Sequence, residues 1–458
     1  MRLSKISVKQ LFKTFDHTVS LNLGERITII HGLNGLGKTT LLQMVKNLSG
    51  GYYSRLAAVP FSEFKLDFDN GESIAVIKKS SRKHADSKRK PLGELTIKFA
   101  SKGGEKADYK PEDNPVPETA SPALDWLNRR IGGLDRVGPD RWRYHRGGSV
   151  GTLSTEAVID QFGHLVPAEL RQTLRNAPDW MKKIGKAIDV RLIETQRLLM
   201  DQSISTPYYD EFTEAVVQPG ISPAITKHSE ELAIKISKQE SEYGALSQTL
   251  DRTFPVRYVQ QKQKMSMSED ELRKRFQNLE SKRRRLEEAG LLEKENTGFE
   301  LPAAMDDATR GVMSIYVNDI EKKLSVFDDL AARIDLFREI INGHFMYKQL
   351  QVSRKKGFRF LSTPAGEELS ATDLSSGEQH EVVLLYELLF HVKENSLVMI
   401  DEPEISLHIA WQEEFLRDLQ RIIKLSPFDA VIATHSPQIV NERWDLTQEL
   451  IGPVEVTK

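Results

Sequence analysis

The sequence contains no cysteine among its 458 residues. Disulfide bonds and zinc sites built on cysteine are therefore excluded. The formal net charge is only −2, so no overall electric field draws the chain onto nucleic acid, and any DNA contact needs a local basic patch. Long apolar runs are missing too: the most apolar segment, residues 382–392, is interrupted by Glu387 and is too short to span a bilayer.

The N-terminus also lacks the pattern of a signal peptide. Residues 1–5 lead into an alternating stretch, without an apolar core and a cleavage site. We therefore predict a cytoplasmic protein with no membrane partner. Hydrophobic residues make up 39% of the chain and charged residues 28%, which suits a soluble protein with a large polar helical part. Its length is enough for two or three structural units.

A glycine-rich loop, residues 32–39, follows the pattern G-x-x-x-x-G-K-[ST]. Glycines let a backbone curl around phosphates without Cβ clashes, and N–H groups at a helix N-terminus hold the negative charge. Lys38 is predicted to reach the β- and γ-phosphates of ATP, and the Thr39 hydroxyl to ligate Mg²⁺. The predicted ATP-binding residues are Asn34, Gly35, Leu36, Gly37, Lys38, Thr39 and Thr40.

The flanks of this loop support the assignment. Residues 26–30 are β-branched and apolar, as a buried strand should be, and residues 40–46 resemble the start of a helix. Strand, loop and helix is the order that a phosphate-binding loop requires. A chance glycine-rich turn would not have both flanks, so we favour the phosphate-binding interpretation.

A second motif lies at residues 374–379, which read L-S-S-G-E-Q. It resembles the signature motif of ABC-type ATPases, although Ser376 stands where the usual motif has its first glycine. In that family the signature contacts the nucleotide of the opposite subunit. The resemblance implies a head dimer around two ATP molecules, with Ser375 and Gly377 acting on the partner's γ-phosphate. The signature residues expected to act in trans are Leu374, Ser375, Ser376, Gly377, Glu378 and Gln379.

Residues 396–402 read as a buried apolar strand that ends in two carboxylates. This segment resembles the Walker B strand of the same family. The resemblance implies that Asp401 holds the Mg²⁺, directly or through water; Mg²⁺ prefers oxygen ligands and keeps several waters, so one carboxylate plus phosphates suffices. It also implies that Glu402 polarises the attacking water as a general base.

Two further strands end in polar residues with predicted roles. Residues 430–433 read as a buried strand before His435, which the resemblance places against the γ-phosphate, although a lone histidine is more often structural. Residues 189–198 resemble the Q-loop, in which Gln196 would touch Mg²⁺ and water. The predicted catalytic residues are thus Glu402, His435 and Lys38, and the predicted metal ligands are Thr39, Gln196 and Asp401.

The run after the Walker B strand, residues 401–408, reads D-E-P-E-I-S-L-H. This form resembles ATPases of the SMC, RecF and OLD branch, with residues 405–408 in the place of the D-loop. OLD nucleases carry a further Toprim domain, which we do not expect here because few residues follow His435. Asp210, Glu211 and Glu214 lack a nuclease motif and read as a solvated helix face.

The architecture resembles stand-alone ATPase subunits of bacterial anti-phage systems of the PARIS and Septu types. In those systems a separate nuclease chain is the effector. The resemblance is one of architecture and does not by itself give a function.

The predicted fold class is α/β: a P-loop NTPase head of the ABC type, with a mixed sheet, flanking helices, an antiparallel β-layer and a helical coiled-coil insertion. Residues 1–215 are predicted as the N-terminal lobe, residues 216–349 as the insertion and residues 350–458 as the C-terminal lobe. Strands are expected at 74–77 and 95–99, a helical insert at about 122–187, and long helices at about 224–252, 268–291 and 308–341.

Two basic stretches each have a plain and a functional interpretation. Residues 78–90 form either a solvated hairpin tip or a phosphate-contacting loop, and the tip is favoured. Residues 282–285, Lys-Arg-Arg-Arg, could bind nucleic acid or an acidic partner. Neighbouring Glu280, Glu287 and Glu288 favour a solvated helix face instead.

The sequence leaves three functions open. The first is an anti-phage ATPase that senses a phage component and controls a separate effector, such as a nuclease. The second is a repair or chromosome-structure ATPase of RecF or SMC character, with DNA as a direct partner. The third is a transporter ATPase subunit. It is disfavoured because such subunits have a compact helical subdomain where this sequence has the predicted coiled-coil insertion, between Gln196 and Leu374. Dimeric heads could also be built into a larger ring.

Overall fold

The computed structural model describes the chain except for residues 80–94, 112–115, 117, 147–148, 167–169, 171–173, 175–177, 195–208, 211–214, 217–223, 262–266, 294–300, 303, 364, 406 and 453–458. It divides into two compact units. The sheet unit comprises Met1–Ser222 and Val392–Lys458, and the helical unit comprises Pro223–His391. Residues 350–391, which carry the signature motif, group with the helical unit; the three-part division made from the sequence stays a prediction.

The N-terminal part of the sheet unit alternates strands with short helices. In chain order its elements are β1 (Leu3–Leu11), β2 (Phe15–Ser20), β3 (Ile27–His31), α1 (Lys38–Gly50), α2 (Tyr53–Ala58), β4 (Glu63–Phe68), β5 (Ser73–Lys78), β6 (Leu95–Ala100), β7 (Lys106–Tyr109), α3 (Ser121–Arg130), β8 (Leu134–Gly138), β9 (Arg141–Arg146), β10 (Ser149–Leu153), α4 (Thr155–Phe162), α5 (Asp179–Ala187), β11 (Val190–Ile193), β12 (Tyr209–Asp210) and β13 (Ala215–Val216).

Within the described residues, the helical unit contains four long helices, a small antiparallel sheet and the signature helix. Its elements are α6 (Ala224–Gln261), α7 (Glu269–Glu288), α8 (Asp307–Ser325), α9 (Asp328–His344), β14 (Lys348–Ser353), β15 (Gly357–Ser362), β16 (Glu368–Leu369), α10 (Ser376–Tyr386) and a π-helical turn at Glu387–His391. The chain then returns to the sheet unit with β17 (Leu397–Asp401), α11 (Ile409–Leu425), β18 (Asp429–Ala433), α12 (Pro437–Val440) and β19 (Thr447–Glu449).

The described strands β11, β17, β18, β3 and β19 form one sheet in that order, and every pairing in it is parallel. All five residues of β17 and of β18 are buried, which explains why the two strands read as continuous apolar runs. Because the carboxyl ends of parallel strands meet at one edge, the loops that follow β3, β17 and β18 are brought together there.

An antiparallel layer, ordered β2-β1-β4-β5-β6-β7, forms a second sheet. The predicted pairing of 74–77 with 95–99 is confirmed, with Val76 opposite Ile97. Inward-facing residues of this layer share a hydrophobic core with α1 and with the strands of the parallel sheet. The predicted P-loop α/β fold is therefore confirmed, and its parallel and antiparallel pairings lie in separate sheets rather than mixed within one.

The predicted helical insert at 122–187 is wrong in part, because β8, β9 and β10 form an antiparallel sheet between α3 and α4. In β9 exposed arginines alternate with Trp142 and Tyr144, which pack into a small core. This alternation is the period of a strand. The indole N–H of Trp142 donates to Thr155 Oγ1 at 3.0 Å, so its buried polar atom is satisfied.

The predicted helices of the insertion are confirmed, with one difference. The expected helix 308–341 is two helices, α8 and α9, which part at Val326 and Phe327. Phe327 is fully buried, and Asp328 and Asp329 supply the acidic residues that favour a new helix start. Helix α8 packs against both α6 and α7, while the coiled-coil character stays a prediction.

A close backbone approach joins α6 to β15. Gly357 has φ +73°, and a Cβ at that position would lie 1.7 Å from the Ser229 carbonyl oxygen. The Ser229 hydroxyl also bonds to the backbone on both sides of this glycine, at Lys356 and Phe358. No helix within the described part of the chain has both the length and the apolar character needed to cross a membrane.

Candidate functional site

The loop between β3 and α1 has the backbone that its glycines predict. Gly35 and Gly37 have φ angles of +86° and +89°, in the left-handed region that favours glycine. A Cβ on Gly37 would also lie 2.6 Å from Leu11 Cδ2, so this position needs glycine for space as well as for conformation. Gly37 is the N-terminal cap of α1, whose first N–H groups therefore open towards the loop.

The predicted ATP-binding residues lie in this loop and in the first turn of α1. Asn34 and Gly35 are exposed at its tip, and Thr40 lies in the first turn of α1. Leu36 is buried and anchors the loop, and its carbonyl oxygen lies 2.8 Å from Nε2 of the buried His17. The loop is thus anchored through Leu36, while its tip is exposed to solvent.

Lys38 is buried, and its ammonium group points back into the loop. Its Nζ donates to the carbonyl oxygens of Gly32 at 2.8 Å and Leu33 at 3.2 Å, and lies 3.3 Å from His435 Nδ1. Burial lowers the pKa of Lys38, although the negative charge of Glu402 acts to raise it. A phosphate oxygen would be a stronger acceptor for this group than the neutral carbonyls.

Two predicted metal ligands meet across the sheet edge. The Thr39 hydroxyl donates to Asp401 Oδ1 at 3.0 Å. Burial raises the pKa of Asp401, the hydrogen bond from Thr39 opposes that rise, and the charge of Glu402 adds to it. A hydroxyl and a carboxylate are the oxygen donors that Mg²⁺ prefers, so the residues fit this ion. Gln196, the third predicted ligand, lies outside the described residues.

Glu402 follows β17 with an unusual backbone conformation. Its φ is +46°, in the left-handed region, where a residue other than glycine carries roughly 1–3 kcal/mol of strain. Its N–H donates to the Ala433 carbonyl at 2.8 Å, which fixes it against the end of β18. The Glu402 Oε1 lies 3.8 Å from Nε2 of His435. The two predicted catalytic side chains therefore face each other.

Glu404 belongs to the site but received no role from the sequence. One of its oxygens, Oε1, accepts the backbone N–H of His435 at 2.8 Å. The other, Oε2, is buried and has no hydrogen-bond partner among the described residues. The only signal was its place in the D-E-P-E run, which served to mark a family branch. An unsatisfied buried carboxylate oxygen beside Asp401 and Glu402 fits a site built for a cation.

The signature residues lie in the helical unit, at the N-terminus of α10. Ser375 caps this helix: its Oγ accepts the Glu378 N–H at 3.3 Å, and Glu378 Oε2 accepts the Ser375 N–H at 2.7 Å. Lys348 Nζ donates to both oxygens of Glu378, at 2.8 and 2.7 Å. Burial acts to raise the pKa of Glu378, but these partners lower it below its ordinary value.

The rest of the signature is ordered by the same helix start. Ser376 and Gly377 open the first turn of α10, and Gln379 Nε2 donates to the Leu374 carbonyl at 2.8 Å. The positive end of the helix dipole is thus presented by the signature residues.

Comparisons with known proteins bear on this site. The model of the AAA ATPase domain family matches residues 1–440. A curated relative, protein ea59 of Escherichia phage lambda, is 39% identical over 69 residues, and the match spans 15% of this chain and 13% of ea59.

Among solved structures, the SMC head domain from Thermotoga maritima is 12% identical over 98% of this chain and 94% of that one, with a TM-score of 0.34. The Smc head domain with an extended coiled coil from Pyrococcus furiosus, bound to the C-terminal domain of ScpA, is 13% identical over 96% and 91%, with the same TM-score.

Proposed function

The chain belongs to the AAA ATPase domain family, and on that premise we propose that it binds ATP with Mg²⁺, hydrolyses it, and acts as a switch for a separate effector protein. The contact between Thr39 and Asp401 carries the proposal. It places an Mg²⁺-compatible oxygen pair beside Lys38 and Glu402, at the edge of the parallel sheet where the phosphate loop ends.

In this proposal each residue has a distinct task. Thr39 and Asp401 hold the Mg²⁺, which neutralises phosphate charge when bound. Lys38 exchanges its loop carbonyls for phosphate oxygens. Glu402 accepts a proton from the attacking water, with His435 across from it at 3.8 Å. Glu404 holds the His435 backbone, which keeps that imidazole in place.

We further propose that two heads close around two ATP molecules, with the signature acting on the nucleotide of the partner chain. The capping geometry supports this. Ser375 Oγ accepts a hydrogen bond from Glu378 N–H, so its own O–H proton can be donated to a phosphate oxygen. The dipole of α10 would favour the same negative charge. Assembly of dimers into a larger ring, and a cytoplasmic location, belong to the same proposal.

The charges on α7 favour a protein trigger over DNA. Three of the four residues in the basic run already have acidic partners: Lys282 with Asp328 at 2.6 Å, Arg283 with Glu287 at 3.8 Å, and Arg285 with Asp335 at 2.5 Å. A phosphate backbone would have to compete with these carboxylates. This supports a defence-type sensor that controls an effector such as a nuclease, over a RecF- or SMC-type ATPase that binds DNA directly.

The test is the ATPase rate of the purified chain with and without linear duplex DNA, with Glu402→Gln as the blank. We expect basal hydrolysis that the blank lacks, and a change of less than about twofold with DNA. Stimulation of tenfold or more would overturn the protein-triggered switch in favour of the DNA-dependent ATPase. A wild-type rate no higher than that of the blank would remove the hydrolysis proposal itself.

A further inference from the structure

A group of two histidines and two glutamates lies in the helical unit, between the start of α6 and the turn that follows the signature helix. We propose that His228, Glu231 and His391 bind a divalent transition-metal ion of the Zn²⁺ class, and that Glu387 orients the two histidines. The inference does not depend on ATP hydrolysis, because none of these residues belongs to the proposed nucleotide site.

The fold brings the four residues together from two elements. His228 and Glu231 are separated by three positions in the first turns of α6. Glu387 and His391 are separated by four positions in the π-helical turn that follows α10. Single π-helical turns are rare and occur often at functional sites. Here the turn places a glutamate and a histidine against the histidine and glutamate of α6.

The distances fit a metal ion. Glu231 Oε2 lies 3.3 Å from His228 Nδ1 and 2.9 Å from His391 Nε2. One ligand atom from each residue lies within 4.8 Å of the others. Around a tetrahedral Zn²⁺ with bonds of about 2.0–2.1 Å, neighbouring ligand atoms are roughly 3.3 Å apart. The two distances from Glu231 Oε2 are therefore close to those in such a site.

The opposite nitrogens of both histidines face a single carboxylate oxygen. Glu387 Oε1 lies 3.3 Å from His228 Nε2 and 3.1 Å from His391 Nδ1. Histidines that bind a metal through one nitrogen almost always donate the N–H of the other to a carboxylate, a carbonyl or water. One carboxylate that serves two histidines in this way fixes which nitrogen of each ring is available to the ion.

The state of His228 gives a second, independent indication. Its side chain is completely buried, and its Nε2 faces Glu387 Oε1, which leaves Nδ1 as the nitrogen for the ion. The ring is also held by stacking on Tyr386, with centroids 4.4 Å apart. A buried imidazole whose ring is fixed in place and whose Nδ1 faces a carboxylate oxygen is suited to bind an ion.

A network of ion pairs without metal is the competing interpretation. It would require both imidazoles to carry a positive charge, which costs desolvation energy above all for the completely buried His228. A metal ion attracts the same carboxylates while the histidines stay neutral. Mg²⁺ and Ca²⁺ fit less well, because they prefer oxygen ligands throughout. An ion here would tie the start of α6 to the end of the signature helix.

The first experiment measures bound metal. Nucleotide-free, tag-free protein is incubated with Zn²⁺ in excess Mg²⁺, desalted and analysed for metal content. We expect about one Zn²⁺ per chain in the wild type and in His145→Gln, a control at an exposed histidine, and less than a tenth of that in His391→Gln. Equal Zn²⁺ content in all three proteins, or none in the wild type, would overturn the proposal.

A second variant keeps the test decisive if His391→Gln does not fold. Glu387→Gln retains all three ligands and loses only the orienting carboxylate, so we expect Zn²⁺ affinity to fall about 10- to 100-fold. Unchanged affinity would remove Glu387 from its role. In parallel, a chelator should lower the Tm of the wild type and added Zn²⁺ should restore it. A Tm that is insensitive to both contradicts a bound ion, whatever the variants do.

Discussion

Charged side chains are arranged in opposite ways in the two units. At the edge of the parallel sheet, the carboxylates of Asp401, Glu402 and Glu404 gather near one ammonium group, and Lys38 itself donates to loop carbonyls. Like charges that crowd together cost stability unless a cation joins them. Among the helices, opposite charges meet directly, as Arg257 does with Asp319 at 2.5 and 2.7 Å.

This difference distinguishes charged residues that pair with each other from charged residues proposed to bind a ligand. The helical pairs are matched within the chain, so we expect them to help order the packing of α6, α7 and α8. In the proposed function, Mg²⁺ and nucleotide would balance the carboxylates of the sheet edge. Substitutions at the sheet edge should therefore change activity with little loss of stability, and substitutions of the helical pairs should do the reverse.

The largest effect is expected from Glu402→Gln. If Glu402 is the general base, kcat for ATP hydrolysis should fall by about 10²–10³-fold, while ATP binding persists and traps the head dimer. The Tm should hold or rise, because the change removes one negative charge from a group of like charges. Steady-state kinetics, nucleotide-binding titration and size-exclusion chromatography measure these three quantities. An unchanged kcat would remove Glu402 from the base role.

Ser375→Arg should come next. A long cation at the cap of α10 should block approach of the partner's γ-phosphate and reduce hydrolysis at least tenfold, with ATP affinity within about twofold of the wild type. Ser281→Arg, an exposed position on α7, is the control matched in size and charge. If hydrolysis survives in Ser375→Arg at the level of the control, the model of two heads around two ATP molecules is wrong.

Gly357→Ala should lower the stability of the fold, in contrast to the two substitutions that lower activity. The left-handed backbone and the 1.7 Å approach of the Ser229 oxygen leave no room for a Cβ, so we expect a loss of about 3 kcal/mol in unfolding free energy. Gly311→Ala is the control, since Gly311 lies within α8 with open space around it; there alanine should stabilise by about 0.5–1 kcal/mol. Urea denaturation measures both. Equal stability of the two variants would contradict the close approach.

The smallest expected effects come from breaking ion pairs among the helices, first by Asp319→Asn. Asp319 is buried and holds both terminal nitrogens of Arg257, so its neutralisation should cost about 2 kcal/mol of unfolding free energy. Asp328→Asn breaks a more exposed pair with Lys282 and should cost less than about 1 kcal/mol. A buried pair that costs no more than the exposed one would show that charge matching does not order the helices.

The sequence was sufficient to predict the parts of the site that follow from local motifs and from the order of the strands. The phosphate loop and the strands that end at Asp401 and Ala433 could be recognised, because a parallel sheet delivers its strand ends to one edge whatever lies between them. The contact between Thr39 and Asp401 follows from that rule, although 362 positions separate the two residues. The role of Gln196 stays a prediction.

Other features depend on tertiary contacts that no local pattern reveals. The N–H of His435 reaches Glu404 only because the loops after β17 and β18 lie side by side. His228 and His391 are far apart in the chain, and glutamates at three or four positions from a histidine are ordinary on helices. The strand β9 was missed because residues 122–187 were interpreted together as a helical insert, while the alternation of exposed residues with Trp142 and Tyr144 was the true signal.

The backbone at Glu402 has a consequence for how this position can vary. A left-handed φ of +46° is accepted best by glycine, and next by asparagine or aspartate. None of these three presents a carboxylate at the distance that glutamate reaches. In a library randomised at this codon, selection for expression and selection for ATP turnover should therefore enrich different residues. Glutamate should win only where hydrolysis is required.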